Sequence, residues 1–213
     1  MGPCETFHMS ACRVPRRRVT RRRMLLPAAG AAVAAVLLSA CGSGGTSGGS
    51  EQTKFVQGKD GVDTVKPADR QPVPDISGES TKGKHLDIAD YKGKVVVLNI
   101  WGSWCAPCIA EAPNFAKVAN ETKDKGVQFL GINTRDSKKT QAVSFEEQHK
   151  VPYPSLYDPM GKQMLRFPKG SLNPQAIPTT IAIDRKGRIA ARALTPLSET
   201  ELRKMVDPLI AEK

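Results

Sequence analysis

The chain has 213 residues, of which 39% are hydrophobic and 25% are charged. This composition is that of an ordinary globular protein and excludes a collagen-like, wholly disordered or multi-span membrane protein. Five cysteines are too few for a disulfide-dense mini-scaffold. The formal net charge is +11, but seven arginines and one acidic residue lie in residues 1–40, and the remaining excess contains no basic run. We therefore expect one domain with an appendage, and no nucleic-acid partner.

The first forty residues predict an export signal that is removed from the mature protein. Six arginines within residues 16–23 precede a stretch rich in Ala, Val and Leu over residues 24–38. That stretch is about 15 residues long, whereas a membrane-spanning helix needs about 20. A basic segment followed by a short apolar one is typical of exported proteins. Residues 20–26 are also similar to a twin-arginine signal that lacks its usual aromatic residue, so both export routes stay open.

The end of this segment, Leu-Ser-Ala-Cys41, resembles a bacterial lipobox. The resemblance implies that Cys41 is acylated, becomes the N-terminus and anchors the protein to the extracytoplasmic face of the cell membrane. Residues 42–50 are Gly, Ser and Thr alone and predict a flexible tether, and we expect the linker to run over residues 41–66. Thiols in that location face an oxidising compartment.

Residues 67–213 predict one α/β domain with a mixed sheet, because buried strands alternate with helices before two adjacent strands and a last helix. The apolar, mostly β-branched run at 95–100 suits a central strand that is buried on both faces. In the Pro-, Tyr- and Gly-marked stretch 151–170, the sequence predicts only a short helical piece. In chain order the predicted elements are a hairpin (72–88), a strand (95–100), a helix (105–125), a strand (127–133), a helix (137–149), two strands (179–183 and 188–193) and a helix that begins at the capping box Ser198–Glu201.

Two cysteines three positions apart, Cys105 and Cys108, stand at the predicted start of the first helix. The partial positive charge of a helix N-terminus stabilises a thiolate, so a thiol with an ordinary pKa of about 8.5 falls to about 3.5–7.5 in such a setting. The spacing brings the second sulfur one helical turn on, within reach of the first. Such a pair is suited to attack a target disulfide and then to resolve the mixed disulfide that forms.

Other uses of a Cys-x-x-Cys pair fit this sequence less well. A zinc site needs a second pair of ligands, and beyond the pair the mature chain offers only Cys41, His85 and His149, so no metal site is predicted. A c-type haem site needs a histidine directly after the second cysteine, where Ile109 stands. A purely structural disulfide would close a loop too small to stabilise the fold much.

The run from Val97 to Pro113, which contains the Trp-Cys-Ala-Pro-Cys motif, resembles the thioredoxin superfamily and in particular its extracytoplasmic TlpA/ResA-like branch. The later Ile177-Pro178-Thr-Thr fits the same branch. The resemblance covers residues 70–210. It implies a thioredoxin-like three-layer fold with a mixed central sheet, an N-terminal β-hairpin extension and a central insertion, which we place at 135–170.

By the same resemblance, Cys105 is the nucleophile and Cys108 resolves the mixed disulfide. Pro178 is expected to be a cis-proline facing the pair, and the main chain of Ile177 is expected to pair with an extended substrate. Trp104, beside the nucleophile, is expected to shield the site and to dock substrate. No cofactor is implied beyond the redox-active disulfide Cys105–Cys108.

Glu111 has two interpretations. It follows Cys108 by three positions, and helical side chains lean toward the N-terminus, so its carboxyl is aimed at the cysteine end of the helix. A partly buried carboxyl there suits proton exchange with Cys108. Spacing alone favours a solvated surface glutamate instead. The element Glu-Ala-Pro113 resembles the branch's Glu-x-Pro, which favours the proton-transfer role.

The resemblance implies an extracytoplasmic oxidoreductase that reduces protein disulfides with electrons from a membrane thiol–disulfide carrier. Its ResA-like members suggest the Cys-x-x-Cys-His pair of apocytochrome c as substrate. Two alternatives stay open. A copper metallochaperone on the same fold would favour a wider cysteine spacing and a downstream histidine, for which His149 is the one candidate. A peroxiredoxin-type peroxide reductase would carry Pro-x-x-x-Thr-x-x-Cys, whereas the residues before Cys105 are aromatic, Gly and Ser.

Overall fold

The computed structural model describes residues 53–212, so the predicted export signal and Cys41 lie outside the described residues. Strands and helices follow one another in the α/β order that the sequence predicts. In chain order they are β1 (Val62–Thr64), β2 (Ser77–Glu79), β3 (His85–Asp87), β4 (Val95–Trp101), α1 (Ala106–Thr122), β5 (Val127–Thr134), α2 (Lys139–Gln148), β6 (Ser155–Asp158), β7 (Thr179–Ile183), β8 (Ile189–Ala193) and α3 (Glu199–Ala211).

The central sheet is mixed, as predicted. Its strand order is β1-β8-β7-β4-β5-β6, and β2 pairs with β3 in a separate hairpin. β5 runs parallel to both β4 and β6, whereas β7 is antiparallel to β4 and to β8. β4 therefore lies in the middle of the sheet, and its seven residues are all buried.

Each face of the sheet is covered by its own hydrophobic layer. On one face, alternate residues of β4 pack against α1 and α3, in a cluster that includes Val97, Phe115 and Leu202. On the opposite face, the other residues of β4 pack against the hairpin region and the segment after β6, in a cluster that includes Leu98 and Ile76. Burial on both faces is the reason why β4 is apolar without alternation. The three-layer arrangement is confirmed.

The helix ends follow the local signals in the sequence. Gly126, just after α1 and one 3₁₀ turn, has a positive φ of 77°, which glycine adopts without steric cost. At the start of α3, the Ser198 side chain accepts the N–H of Glu201, and Glu201 reaches back to the Ser198 N–H. The predicted capping box is therefore confirmed. Within residues 53–212, none of the helices has both the length and the apolar character that crossing a membrane requires.

The predicted domain boundary at residue 67 is wrong. β1 pairs with β8, with Val62 opposite Ala193, and the side chains of Val62 and Val65 are buried. Upstream of β1, Val56 exchanges main-chain hydrogen bonds with Thr64. An edge strand of three residues is too short to show a periodic pattern, so the sequence predicts only linker there. Residues 53–66 belong to the folded domain.

The sequence does not predict β6 either. It pairs with β5 in parallel, with Leu156 opposite Ile132, and Ser155 and Leu156 are both buried. Pro152 and Pro154 precede it, and prolines argue against a strand from sequence alone. α2 and β6 therefore fill residues 139–158 of the stretch predicted as the insertion.

Candidate active site

Cys105 and Cys108 lie at the carboxyl end of β4, where the loop before β7 also arrives. β7 runs antiparallel to β4, with Thr179 opposite Ile100, so the residues just before Thr179 return to the edge at which α1 begins. Ile177 is partly buried and packs against the cluster that contains both cysteines. The sheet topology thus brings together two motifs that are about 70 residues apart in sequence.

The two cysteines form a disulfide, with their Cα atoms 5.2 Å apart. Both are buried. Cys105 is the N-cap of α1, and its Sγ accepts a hydrogen bond from the Cys108 N–H at 3.3 Å. Ala106 and Pro107 occupy the first helical turn, where the missing N–H of proline leaves no hydrogen bond unmade. The predicted position of the pair at a helix start is confirmed.

Close packing fixes the turn that carries the pair. A Cβ atom on Gly102 would lie 2.8 Å from Nε1 of Trp104 and 3.1 Å from the carbonyl oxygen of Thr134. A larger residue there would displace the turn. Behind it, the ring of Trp101 stacks on Phe145 of α2 with centroids 4.3 Å apart. Through these contacts, the turn before α1 packs against α2 and the end of β5.

The residues predicted to meet substrate surround this turn. Trp104 is 52% exposed, and the guanidinium carbon of Arg135 lies 6.0 Å from the centroid of its ring. The Ile177–Pro178 peptide bond is cis, in agreement with the expectation from the resemblance. Ile177 is partly exposed and Pro178 is buried. Substrate contact by these residues stays a prediction.

Glu111 is buried, which excludes the alternative of a solvated surface residue. Its Oε1 accepts a hydrogen bond from the Asn99 side-chain amide at 2.9 Å, and its Oε2 accepts one from the Leu197 N–H at 3.0 Å. Burial raises the pKa of Glu111 to about 7, although the two hydrogen bonds act in the opposite direction. Asn99, a polar residue in the apolar strand β4, is thereby hydrogen-bonded to a side chain of α1.

Asp136 supports the site, a role that the sequence patterns above do not predict. Its buried carboxylate accepts hydrogen bonds from the N–H and Oγ of Ser103 and from the side-chain amide of Asn133. It thereby ties the turn before Cys105 to the loop after β5. The signal in the sequence is a run of four polar residues, Asn133 to Asp136, at the end of an apolar strand.

The two histidines considered as ligands lie on β3 and just after α2. His85 is exposed on β3, and His149 follows α2 with its ring 4.5 Å from that of Phe145. Across residues 53–212, His, Cys, Asp and Glu side chains do not gather in groups of three or more that could hold a metal ion. Cys41, the third candidate, lies outside those residues.

Residues 68–209 match the model of the Redoxin family. The chain is 36% identical over 120 residues to the thiol:disulfide interchange protein HelX of Rhodobacter capsulatus, and the matched region covers 56% of this chain and 62% of HelX. It is 31% identical over 127 residues to the thiol-disulfide oxidoreductase ResA of Bacillus subtilis, and this matched region covers 60% of this chain and 68% of ResA. The chain thus spans a little under two thirds of the length of HelX.

Two solved structures extend the similarity to the fold. A DsbF homologue from Corynebacterium diphtheriae is 35% identical, with a TM-score of 0.67 over 74% of this chain and 99% of its own. A secreted thiol-disulfide isomerase from Corynebacterium glutamicum is 34% identical, with a TM-score of 0.68 over 75% of this chain and 99% of its own. With most of its folded part matched and a thioredoxin-like architecture, the chain belongs to the Redoxin family.

Proposed function

We propose that this protein is a thiol–disulfide oxidoreductase that exchanges electrons with protein disulfides through Cys105 and Cys108. The observation that carries the proposal is the disulfide at the N-terminus of α1, where Cys105 Sγ accepts the N–H of Cys108. Once the bond is reduced, this donor and the helix dipole stabilise the Cys105 thiolate. HelX and ResA, to which the chain is similar, are named for the same reaction.

The cycle begins with the reduced pair. The Cys105 thiolate attacks a substrate disulfide, whose S–S bond breaks; one substrate sulfur joins Cys105 and the other leaves as a thiolate that takes up a proton. The Cys108 thiolate then attacks the Cys105 sulfur, and the second substrate sulfur leaves in the same way. Two electrons have passed to the substrate, and the Cys105–Cys108 disulfide remains. A dithiol donor reverses these steps, so no cofactor takes part.

Glu111 is the proposed acceptor of the proton that Cys108 loses before it attacks. It follows Cys108 by one helical turn and lies in the same buried region. Because the pKa of Glu111 is raised to about 7 by burial, its carboxyl both takes up and releases a proton near neutral pH. Asn99 and Leu197 hold the carboxyl in place through their hydrogen bonds.

Substrate binding is assigned to the surface around the pair. We infer that the main chain of Ile177 pairs with an extended substrate segment, that Pro178 holds this loop against the disulfide, and that Trp104 docks the substrate. The exposed ring of Trp104 and the contact of Ile177 with the cysteine cluster support these roles. Exposed aromatic side chains supply much of the binding energy in protein recognition.

The direction of transfer, the substrate and the location are proposed from the resemblance. The protein would reduce disulfides such as the Cys-x-x-Cys-His pair of apocytochrome c, with electrons from a membrane thiol–disulfide carrier. It would work on the extracytoplasmic face, anchored by lipid at Cys41. The similarity to a secreted enzyme of Corynebacterium glutamicum supports export, and the basic and apolar segments before Cys41 support the signal.

Trapping tests the reaction and the roles of the two cysteines. In Cys108→Ala, the mixed disulfide at Cys105 cannot be resolved, so non-reducing gels should show adducts that mass spectrometry assigns to Cys105. Cys105→Ala is the matched control and should form none. Capture by Cys105→Ala instead would reverse the roles, and capture by neither variant would overturn the proposal. Labelling with an alkyne fatty acid tests the lipid anchor separately, because the wild type should be labelled and Cys41→Ala should not.

A further inference from the structure

A groove runs beside the cysteine turn and has no place in the reaction described above. It lies between the end of β5, at residues 134–135, and two segments at residues 159–165 and 174–175. We call it the flanking groove. Its volume is about 190 Å³, below the roughly 300–1,000 Å³ of pockets that bury whole small-molecule ligands. That size suits a single side chain of a larger partner.

Arg135 connects the flanking groove with the active site. Its guanidinium lies 6.0 Å from the ring centroid of Trp104 and donates a hydrogen bond to the carbonyl oxygen of Pro174 at 2.6 Å. Pro174 belongs to the same loop as Ile177 and Pro178. A polypeptide bound at Trp104 would therefore meet the flanking groove as its next contact.

The rim of the groove is apolar. Met160 is 77% exposed and Leu165 is 71% exposed, which makes them the two most exposed large hydrophobic side chains within residues 53–212. Trp104, next to Arg135 but outside the groove, is a third exposed large apolar side chain. Exposed apolar groups gathered in this way mark binding surfaces.

The wall of the groove contains an unsatisfied polar group. Thr134 is fully buried, and in the described part of the chain its hydroxyl has no hydrogen-bond partner. A Cβ atom on Gly161 would lie 3.8 Å from this hydroxyl and 2.9 Å from the terminal methyl of Met164, so the groove is narrow at this point. Buried hydroxyls are nearly always paired, but this one has no accessible surface and is therefore closed to a ligand in the groove.

The exposed charged side chains in the segments that line the groove, those of Arg135 and Lys162, are positive. Arg135, Lys162, Arg166 and Lys169 are exposed, and the sequence has no acidic residue from 159 to 183. Asp158, at the edge of this stretch, is buried and accepts hydrogen bonds from the N–H groups of Lys162 and Gln163. The exposed charge beside the apolar rim is thus complementary to a carboxylate.

We propose that the flanking groove binds the substrate polypeptide next to its reacting cysteine, with an apolar side chain between Met160 and Leu165 and an adjacent carboxylate facing Arg135. This inference rests on the proposed function and adds a substrate preference to it. The preferred substrate is therefore an acidic and apolar segment, rather than a basic one.

Two disulfide peptides that differ only beside the reacting cysteine test the preference. One carries Leu-Glu and the other Ser-Lys. We expect the reduced protein to reduce the Leu-Glu peptide faster, with a kcat/KM advantage of about tenfold, which corresponds to one apolar contact and one exposed ion pair. Arg135→Glu should reverse the charge preference, and Leu165→Ser should lower kcat/KM for the Leu-Glu peptide about fivefold. Equal rates for both peptides would overturn the proposal.

The control variant is Lys92→Glu, an exposed charge reversal before the start of β4, at the far end of the sheet. It should change neither rate. Bis(2-hydroxyethyl) disulfide, which is uncharged and too small to reach the groove, should react with wild type, Leu165→Ser and Lys92→Glu at the same rate. Failure of this reaction in the wild type would indicate loss of the proposed function rather than of the groove. A Leu-Glu peptide with serines in place of its cysteines tests binding to the groove without disulfide exchange. Its affinity is measured by calorimetry for the wild type and for Arg135→Glu, and equal affinities would contradict the proposal.

Discussion

Two buried carboxylates, toward opposite ends of the central sheet, differ in what surrounds them. Glu111, on the helix that carries the cysteines, accepts hydrogen bonds from two neutral groups, the Asn99 amide and the Leu197 N–H. Asp184, in the turn after β7, accepts hydrogen bonds from the guanidinium groups of Arg70 and Arg188. Both side chains are almost fully buried.

The two environments give the carboxyl groups opposite properties. Burial acts to raise the pKa of Asp184, but the hydrogen bonds from Arg188 and Arg70 outweigh it and the pKa lies below its ordinary value. Burial prevails at Glu111 and raises its pKa to about 7. A buried carboxylate paired with arginines stabilises the fold as an ion, whereas one held by neutral donors is able to transfer a proton.

Replacement of Arg70 by methionine should have the largest effect on stability. Arg70 contacts Asp184 at 3.0 Å and Glu212 at 2.6 Å, and all but a small part of its side chain is buried. Arg70→Met keeps the aliphatic stem but removes one of the two guanidinium groups that pair with Asp184. We expect the free energy of unfolding in urea at pH 7 to fall by about 4 kcal/mol, as for other broken buried ion pairs.

Lys54→Met is the matched control, because the ion pair of Lys54 with Asp69 is exposed. It should change the free energy of unfolding by less than about 0.5 kcal/mol. In the wild type, the stabilisation from Asp184 is present above the ordinary pKa of 3.8 and is lost as the pH falls through the lower pKa of the folded state. Equal losses of unfolding free energy in Arg70→Met and Lys54→Met would show that the buried network does not stabilise the fold.

Glu111→Gln should change how stability depends on pH. The pKa of Glu111 is about 7 when folded and 4.5 ordinarily, so the unfolded chain ionises first and the stability of the wild type falls as the pH rises from 4.5 to 7. This fall amounts to about 3 kcal/mol at about 1.36 kcal/mol per pKa unit. Glutamine does not ionise, so the unfolding free energy of the variant minus that of the wild type should rise by that amount.

The same variant separates proton transfer from structure. The rate at which Cys108 resolves the mixed disulfide, measured by rapid quench, should lose its dependence on pH around 7 in Glu111→Gln. Asn99→Ala is the comparison, because it removes a donor to the carboxyl but leaves Glu111 able to titrate. Parallel stability curves of wild type and Glu111→Gln across pH 4.5–8 would contradict the raised pKa of Glu111.

Asp136→Ala should have an intermediate effect. It removes the acceptor of Ser103 and leaves the buried amide of Asn133 unpaired, which lowers the free energy of unfolding by about 2 kcal/mol. Because the turn before Cys105 is then less constrained, disulfide exchange should also slow. Ser137 is an exposed neighbour, and Ser137→Ala serves as the control in both assays. An unchanged exchange rate in Asp136→Ala would contradict a role of Asp136 in the site.

Trp104→Ala should have the smallest effect on stability, below about 0.5 kcal/mol, because the side chain is half exposed. It should raise the KM for a protein disulfide while leaving the reaction with glutathione disulfide unchanged. Val56 is equally exposed on a remote segment, and Val56→Ala should alter neither value. A KM for the protein substrate that does not change would contradict the docking role.

Local patterns in the sequence predict the framework and the reactive pair. The apolar run of β4, the helix start at Cys105 and the capping box at Ser198 each depend on residues within one element, and all three are confirmed. The edge strands β1 and β6 are too short for a period to appear, and pairing with distant strands defines them.

The electrostatics of the site depend on contacts that no local pattern encodes. Arg70 meets Asp184 across 114 residues of sequence, and Glu111 is capped by Leu197 across 86. Spacing predicts that Glu111 lies on the face of Cys108, but its burial depends on the start of α3 folding over it. Asp136 likewise gains its role from Ser103, 33 residues away.

The alkylation rate of Cys105 across pH tests most directly whether the helix start activates this thiol. The reduced full-length protein is treated with iodoacetamide from pH 4 to 10, and the adduct at Cys105 is quantified by mass spectrometry, in the folded chain and in urea. We expect half-maximal reactivity of folded Cys105 at a distinctly lower pH than in urea, because the Cys108 N–H and the dipole of α1 stabilise its thiolate. Coincident profiles in the two conditions would contradict a redox role for the pair.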